Sequence, residues 1–250
     1  MRRWALPTLL LLALLGLWQL AASSGALADA LGLEPFLVPS PAEVGEALWQ
    51  SRALLAENAW VTLREMLLGL GLSLVIGVGL AFAMHLSGVV RDTLNPLIVV
   101  SQTIPILAIA PILIIWLGFG IWPKAIVVLL ICFFPVAVST FAGLGTADPE
   151  ATKMMRSLDA SRLQILWRIE TPTALPYFFT GARLAVVLAP IGAIFGEWVG
   201  SSSGLGHLIL QDNGQLETAR LFASVVILSA MALLLFALTA LAQRRIITWR

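Results

Sequence analysis

Apolar runs long enough to cross a lipid bilayer recur along almost the whole sequence, and no other feature limits the possible fold so strongly. A hydrocarbon core of about 30 Å needs roughly 20 mainly apolar residues per helix. With that window the sequence predicts spans near 4–22, 61–85, 94–117, 122–145, 181–200 and 220–242. Composition agrees: 59% of residues are apolar and 12% charged, against about 25% charged in soluble domains. The expected fold is an all-α, polytopic bundle of six membrane helices, a single domain over residues 1–250.

Basic residues set the expected orientation. With the N-terminus in the cytoplasm, Arg2, Arg3, Arg91, Lys153, Arg156, Arg162, Arg168, Arg183, Arg244, Arg245 and Arg250 lie inside, and Arg52, Arg64, Lys124 and Arg220 outside. That asymmetry predicts two cytoplasmic termini. Arg2, Arg3, the leucine-rich run and Ala26-Leu27-Ala28 also resemble a cleavable signal peptide. The run is nevertheless long enough to span, and five further spans follow, so an uncleaved first helix is the plainer expectation. A net charge of +1 gives no reason to expect nucleic acid, and Cys132 alone can form neither an intrachain disulfide nor a cysteine metal cluster.

Several spans carry features that a plain anchor does not need. Gly69, Ser73, Gly77 and Ala81 recur every fourth residue, which puts them on one helix face and predicts a close helix–helix seam. Pro105 and Pro111 are expected to break the third span, Pro135 the fourth and Pro190 the fifth, through ordinary kinked packing or as part of a pathway. Intramembrane polar groups are few, and the candidates for a translocation pathway are Ser101, Gln102, Pro105 and Glu197. Glu197 should face the bundle interior or water, either as a structural acceptor or as a substrate contact. Glu65, beside Arg64, reads as interfacial, as do His85 and His207, which fall at opposite faces and cannot share a metal.

No G-x-x-x-x-G-K-[ST] phosphate loop occurs, and the glycines of GSSSGLG (200–206) follow an apolar helix and not a strand. Neither a zinc-spaced His and Glu set nor a nucleophile elbow is present. The sequence therefore predicts no catalytic residue, no metal site and no bound cofactor.

The one long polar insertion is EATKMMRSLDASRLQILWRIETP, Glu150 to Pro172, within a loop over 147–176. Asp148 is a good N-cap with Pro149 at the first helical position, and Ala151, Met154, Met155 and Leu158 fall at i, i+3, i+4 and i+7. Asp159 and Ala160 read as a turn. Ser161 and Gln164 have capping-box spacing and open a second helix, expected to end before Pro172. This helix-turn-helix should lie on the cytoplasmic side. Its methionine face suits either a groove on another protein or the bilayer surface.

The loop resembles the cytoplasmic coupling loop of permease subunits of bacterial ABC importers, whose pattern is E-A-A, three residues, G, nine residues, I-x-L-P. The spacing places Lys153-Met154-Met155 at E-A-A, Asp159 at the glycine, Ile169 at the isoleucine and Thr171-Pro172 at L-P. Lys153 reverses the usual charge, and Asp159 stands where glycine often makes a left-handed turn. LVPSPAEVGEALW, SQTIPILAIAPILIIWLGFG, FFPVAVSTFAGL and GEWVGSSSGLGHLI are similar to the branch serving nitrate, sulfonate, taurine and pyrimidine precursors, and GEWVGSS resembles permeases for the hydroxymethylpyrimidine precursor of thiamine.

That resemblance implies a non-catalytic, multi-pass subunit of the bacterial inner membrane, working as a homodimer. A periplasmic or lipid-anchored binding protein would deliver substrate, and a cytoplasmic ATPase using ATP and Mg would grip Glu150, Ala151, Lys153, Met154, Met155, Leu158, Asp159, Ala160, Ile169 and Pro172. The same family also transports aliphatic sulfonates, taurine and nitrate, which remain alternative substrates. An ion-coupled secondary transporter would place acids near the midplane of broken helices, and no acid sits near the middle of any span. A membrane scaffold would not need a coupling-type loop.

Overall fold

The computed structural model describes residues 2–249, with side chains from Leu6 onward. Arg250 and the side chains of Arg2 and Arg3, which entered the orientation argument, lie outside the described residues. Twelve α-helices and no strand occur among the described residues: α1 Arg2–Ser23, α2 Ala26–Leu31, α3 Pro41–Gln50, α4 Arg52–Leu86, α5 Gly88–Ser101, α6 Ile106–Leu117, α7 Ile121–Leu144, α8 Pro149–Ser157, α9 Arg162–Ile165, α10 Thr171–Gly200, α11 Leu205–Gln215 and α12 Thr218–Ile246. Among the described residues five helices are long and apolar enough to cross a membrane: α1, α4, α7, the continuous α9–α10 rod and α12.

The third expected span, 94–117, is not one helix. It is the pair α5 and α6, bent by 100° at residues 102–105. Ser101 Oγ donates to the Ile98 carbonyl at 2.7 Å and Thr103 Oγ1 to the Val100 carbonyl at 2.8 Å, so side chains satisfy acceptors that the ended helix leaves open. Pro105, with no N–H to give, then begins a new direction. The other prolines behave differently from expectation. Pro111, Pro135 and Pro190 lie inside α6, α7 and α10, which continue through them.

The helix begun at Ser161 also fails to end before Pro172. Leu166–Glu170 form a π-helical turn, the Thr171 N–H reaches the Leu166 carbonyl, and Pro172 falls in the first turn of α10. The extra residue in that turn lets the chain stay helical where the missing proline N–H would otherwise leave a gap in the ladder.

The chain divides into two compact units: residues 1–61 with Ser202–Leu228, and Thr62–Ser201 with Ser229–Arg250. In the first, α3 opens with a reciprocal capping box. The Ser40 backbone N–H donates to Glu43 Oε2 at 2.6 Å, and the Glu43 N–H returns to Ser40 Oγ. That backbone bond, helped by the Ser40 hydroxyl, holds the Glu43 carboxyl below the usual glutamate range. Asp212, fully buried, receives two bonds from the Arg220 guanidinium at 3.0 and 2.6 Å.

The second unit is organised on α7, whose buried face includes Ala125, Val128, Cys132 and Val136. The predicted seam of α4 packs here: a Cβ on Gly69 would stand 2.4 Å from Val128 Cβ, and one on Gly77 2.9 Å from Val136 Cβ. A second row, Gly181, Ala185, Ala189 and Ala193 of α10, also lies buried at fourfold spacing. A Cβ on Gly181 would meet the Pro135 carbonyl oxygen at 2.4 Å, and one on Gly192 the Val128 Cα at 2.8 Å. Burying apolar surface gives no driving force in lipid, so this close approach is what holds α4, α7 and α10 together.

Candidate coupling loop and buried charge network

The polar loop between α7 and α10 forms largely as its residue types dictate. Asp148 accepts from the Glu150 N–H at 2.9 Å and caps α8. The helix ends in a left-handed Asp159, φ 61°, with Ala160 N–H bonded back to the Met155 carbonyl at 3.0 Å. A short polar side chain tolerates that conformation better than most, so Asp159 performs the turn despite its departure from glycine. Ser161 and Gln164 cap α9 reciprocally, as their spacing predicts.

None of the residues of α8 is buried. Met154 is 65% and Leu158 67% exposed, Ala151 and Met155 are half-buried, and Glu150 and Lys153 face solvent. The apolar stripe thus stands without a covering surface within this chain. Ile169 is half-exposed on the π-helical turn, and Pro172 follows at the start of α10.

Of the four pathway candidates, Ser101, Gln102 and Pro105 meet at the α5–α6 elbow, where Gln102 Nε2 donates to Ser101 Oγ at 3.3 Å and both Gln102 and Pro105 are exposed. Glu197 is elsewhere. It is 0% exposed and accepts from Thr62 Oγ1 at 2.6 Å. Glu65 is not the interfacial side chain its position suggests: it is 1% exposed, and its Oε1 accepts from Lys124 Nζ at 2.8 Å. Lys124 Nζ also reaches Ser201 Oγ at 2.6 Å. Thr62 and Glu65 on α4, Lys124 on α7, Glu197 on α10 and Ser201 just beyond it make a polar knot inside otherwise apolar packing.

The knot was legible in part. Glu65 is four residues before Gly69 and Glu197 four after Ala193, so each glutamate continues a buried row of small residues. An acid on a close-packed face must find a cation or donor there, since an ionised group in hydrocarbon costs several kcal/mol. His85 is likewise not free at the interface, because its Nε2 lies 2.8 Å from Glu170 Oε2. Among the described residues no group of three His, Cys, Asp or Glu side chains could hold a metal ion.

A model of binding-protein-dependent transport system inner membrane components matches residues 73–248, which include the elbow, the loop and most of the seam. The chain belongs to this family. It is 36% identical over 245 residues to the formylaminopyrimidine transport permease protein ThiX of Halalkalibacterium halodurans, covering 98% of this chain and 95% of that one. The taurine transport system permease protein TauC of Escherichia coli is 31% identical over 225 residues, with 87% and 82% covered. An inward-facing structure of the MetNI methionine ABC transporter superposes at a TM-score of 0.66 with 19% identity, over 80% of this chain and 97% of that one, a likeness of fold.

This permease is therefore a multi-pass inner-membrane subunit of an ABC importer. Family membership implies an ATPase and a substrate-binding protein as its partners. The exposed stripe on α8 and the buried knot thus belong to a transport component.

Proposed function

We propose that the permease imports a small aminopyrimidine of the thiamine-precursor kind, two copies forming the membrane pathway, with both termini in the cytoplasm. ATP and Mg are bound by the partner ATPase, and this chain holds no cofactor. The observation that carries the coupling role is the uncovered Ala151, Met154, Met155 and Leu158 face, which suits a groove on the ATPase. Glu150, Lys153, Asp159, Ala160, Ile169 and Pro172 frame it. The exposed elbow of Ser101, Gln102 and Pro105 is the part of the chain best suited to meet solute, while the buried Glu197, bonded to Thr62, holds α10 to α4.

The mechanism then needs no chemistry from this chain. ATP binding favours one arrangement of the helices over another, and only the free-energy difference between those arrangements moves solute. The substrate class follows from 36% identity along nearly the whole length to a formylaminopyrimidine permease. Taurine or another sulfonate is the second reading, favoured by the relative at 31%. The test is to reconstitute permease, ATPase and binding protein in liposomes and compare ATP hydrolysis with binding protein loaded with hydroxymethylpyrimidine, formylaminopyrimidine or taurine. Stimulation by the pyrimidines is expected. Stimulation by taurine alone overturns the substrate assignment.

A further inference from the structure

The cytoplasmic end of α4 carries Phe82 and His85, three residues apart and so on neighbouring positions of one face. The π-helical turn between α9 and α10 carries Trp167 and Glu170, also three apart. The two pairs meet. The Phe82 and Trp167 rings stack with centroids 5.8 Å apart and planes at 30°, and His85 Nε2 lies 2.8 Å from Glu170 Oε2.

The second oxygen of Glu170 is also engaged. Arg162 Nη1 donates to Oε1 at 2.5 Å, and Arg162 Nη2 lies 3.1 Å from His85 Nε2. Glu170 is only 5% exposed, whereas Arg162 is the first residue of α9, midway along the loop. One buried carboxylate therefore ties the loop to the end of a different transmembrane helix. A π-helical turn adds a residue to the local ladder and turns the following side chains around the axis, and here it delivers both Trp167 and Glu170 to α4. Beside them, Leu166 of the same turn is buried against Ala81 and Leu144, an apolar contact that carries no directional bond.

We propose that Glu170 is a positioning residue for energy coupling. By holding Arg162 against His85, it makes the α8–α9 loop and the inner end of α4 move as one body. A displacement imposed on α8 then reaches α4, and through the Gly69–Ala81 seam it reaches α7, instead of being absorbed by bending of the loop. The proposal rests on the reading of α8 as the ATPase-docking helix.

The experiment uses the permease–ATPase complex in detergent, with nitroxide labels on cysteines placed at Leu163 of α9 and Val75 of α4, both well exposed at 60% and 73%. The native Cys132 is 0% exposed and stays unlabelled. Interlabel distances are measured by electron–electron resonance without nucleotide and with Mg-ATP on a hydrolysis-deficient ATPase. With only one protomer of each dimer labelled, the distribution in the otherwise wild-type permease is expected to stay single and unshifted in both states. Glu170→Gln, with the ATPase still co-purifying, is expected to broaden the Mg-ATP distribution at least about twofold, the loop moving by the usual small helix shifts without α4. His85→Gln keeps a side-chain donor toward Glu170 and should restore the narrow distribution relative to His85→Leu.

A Glu170→Gln distribution as narrow as the wild-type one in both states overturns the proposal, as does a wild-type pair that itself separates on Mg-ATP. Should Glu170→Gln fail to assemble, Arg162→Ala removes the guanidinium that bonds Glu170 Oε1, at a side chain 43% exposed. There too, broadening supports the clamp and an unchanged distribution overturns it. Failure of the wild-type permease to retain the ATPase is a separate result, which removes the docking reading and the proposal with it.

Discussion

Replacing Lys124 by methionine tests whether the knot between α4, α7 and α10 is held by charge. Lys124 and Glu65 are 7% and 1% exposed, and the ammonium bonds the carboxylate at 2.8 Å and Ser201 Oγ at 2.6 Å. Lys124→Met removes both bonds and leaves the buried Glu65 carboxyl without its ammonium partner. Breaking one side of a buried pair costs about 3–5 kcal/mol, whereas replacing both sides by apolar residues of similar volume is often neutral or better. For a chain of this size about 1 kcal/mol moves the melting temperature by 2–4 °C. Lys124→Met or Glu65→Leu alone should therefore melt roughly 6–20 °C lower, and the double variant should recover most of that loss. The assay is thermal unfolding of the detergent-purified permease, followed through its nine tryptophans. A double variant whose loss equals the sum of the single losses within about 0.5 kcal/mol would refute the reasoning, since independent sites add to that accuracy.

The small-residue seam predicts a contrast within two residues: Gly77→Leu must push into Val136 and the Phe133 carbonyl, while a Cβ at Gly79 meets nothing within 4 Å. Detergent melting should fall by an overpacking cost of about 1–3 kcal/mol for Gly77→Leu and change little for Gly79→Leu; equal effects would make the seam incidental. Met154→Glu, at a residue 65% exposed, should release the ATPase in detergent, where no bilayer exists to dock on, and a surviving complex would favour a surface helix instead. Lys153→Glu should weaken the same complex by up to about 1 kcal/mol, with the difference fading as salt is raised. The Glu43 carboxyl is held below its ordinary pKa by the Ser40 backbone N–H, so its contribution to α3 is present above about pH 4.3, the unperturbed glutamate value, and is lost as pH falls through the lower folded value. The protection of α3 amides relative to their intrinsic exchange rate should fall over that range in the native chain and not in Glu43→Gln.

Some of this architecture follows from residue types alone. Span length is set by lipid thickness, so the positions of α1, α4, α7, α10 and α12 are written in hydropathy. Caps and turns are local, so Asp148, Ser161 with Gln164 and the Asp159 corner can be read without the rest of the chain. Fourfold spacing of Gly69, Ser73, Gly77 and Ala81 likewise requires a close neighbour, though it does not name α7 as that neighbour. Tertiary structure decided the rest. Whether a proline stands at a helix break depends on what else can satisfy the freed carbonyl, and so the chain turns before Pro105, which N-caps α6, while α7 and α10 run through Pro135, Pro172 and Pro190. The partners of Glu65, Glu197 and Glu170 are Lys124, Thr62 and the His85–Arg162 pair, 59, 135, 85 and 8 residues away. A sequence says that a buried carboxylate needs a donor, because leaving it bare is costly, but only the packing of distant helices determines which donor stands within 3 Å.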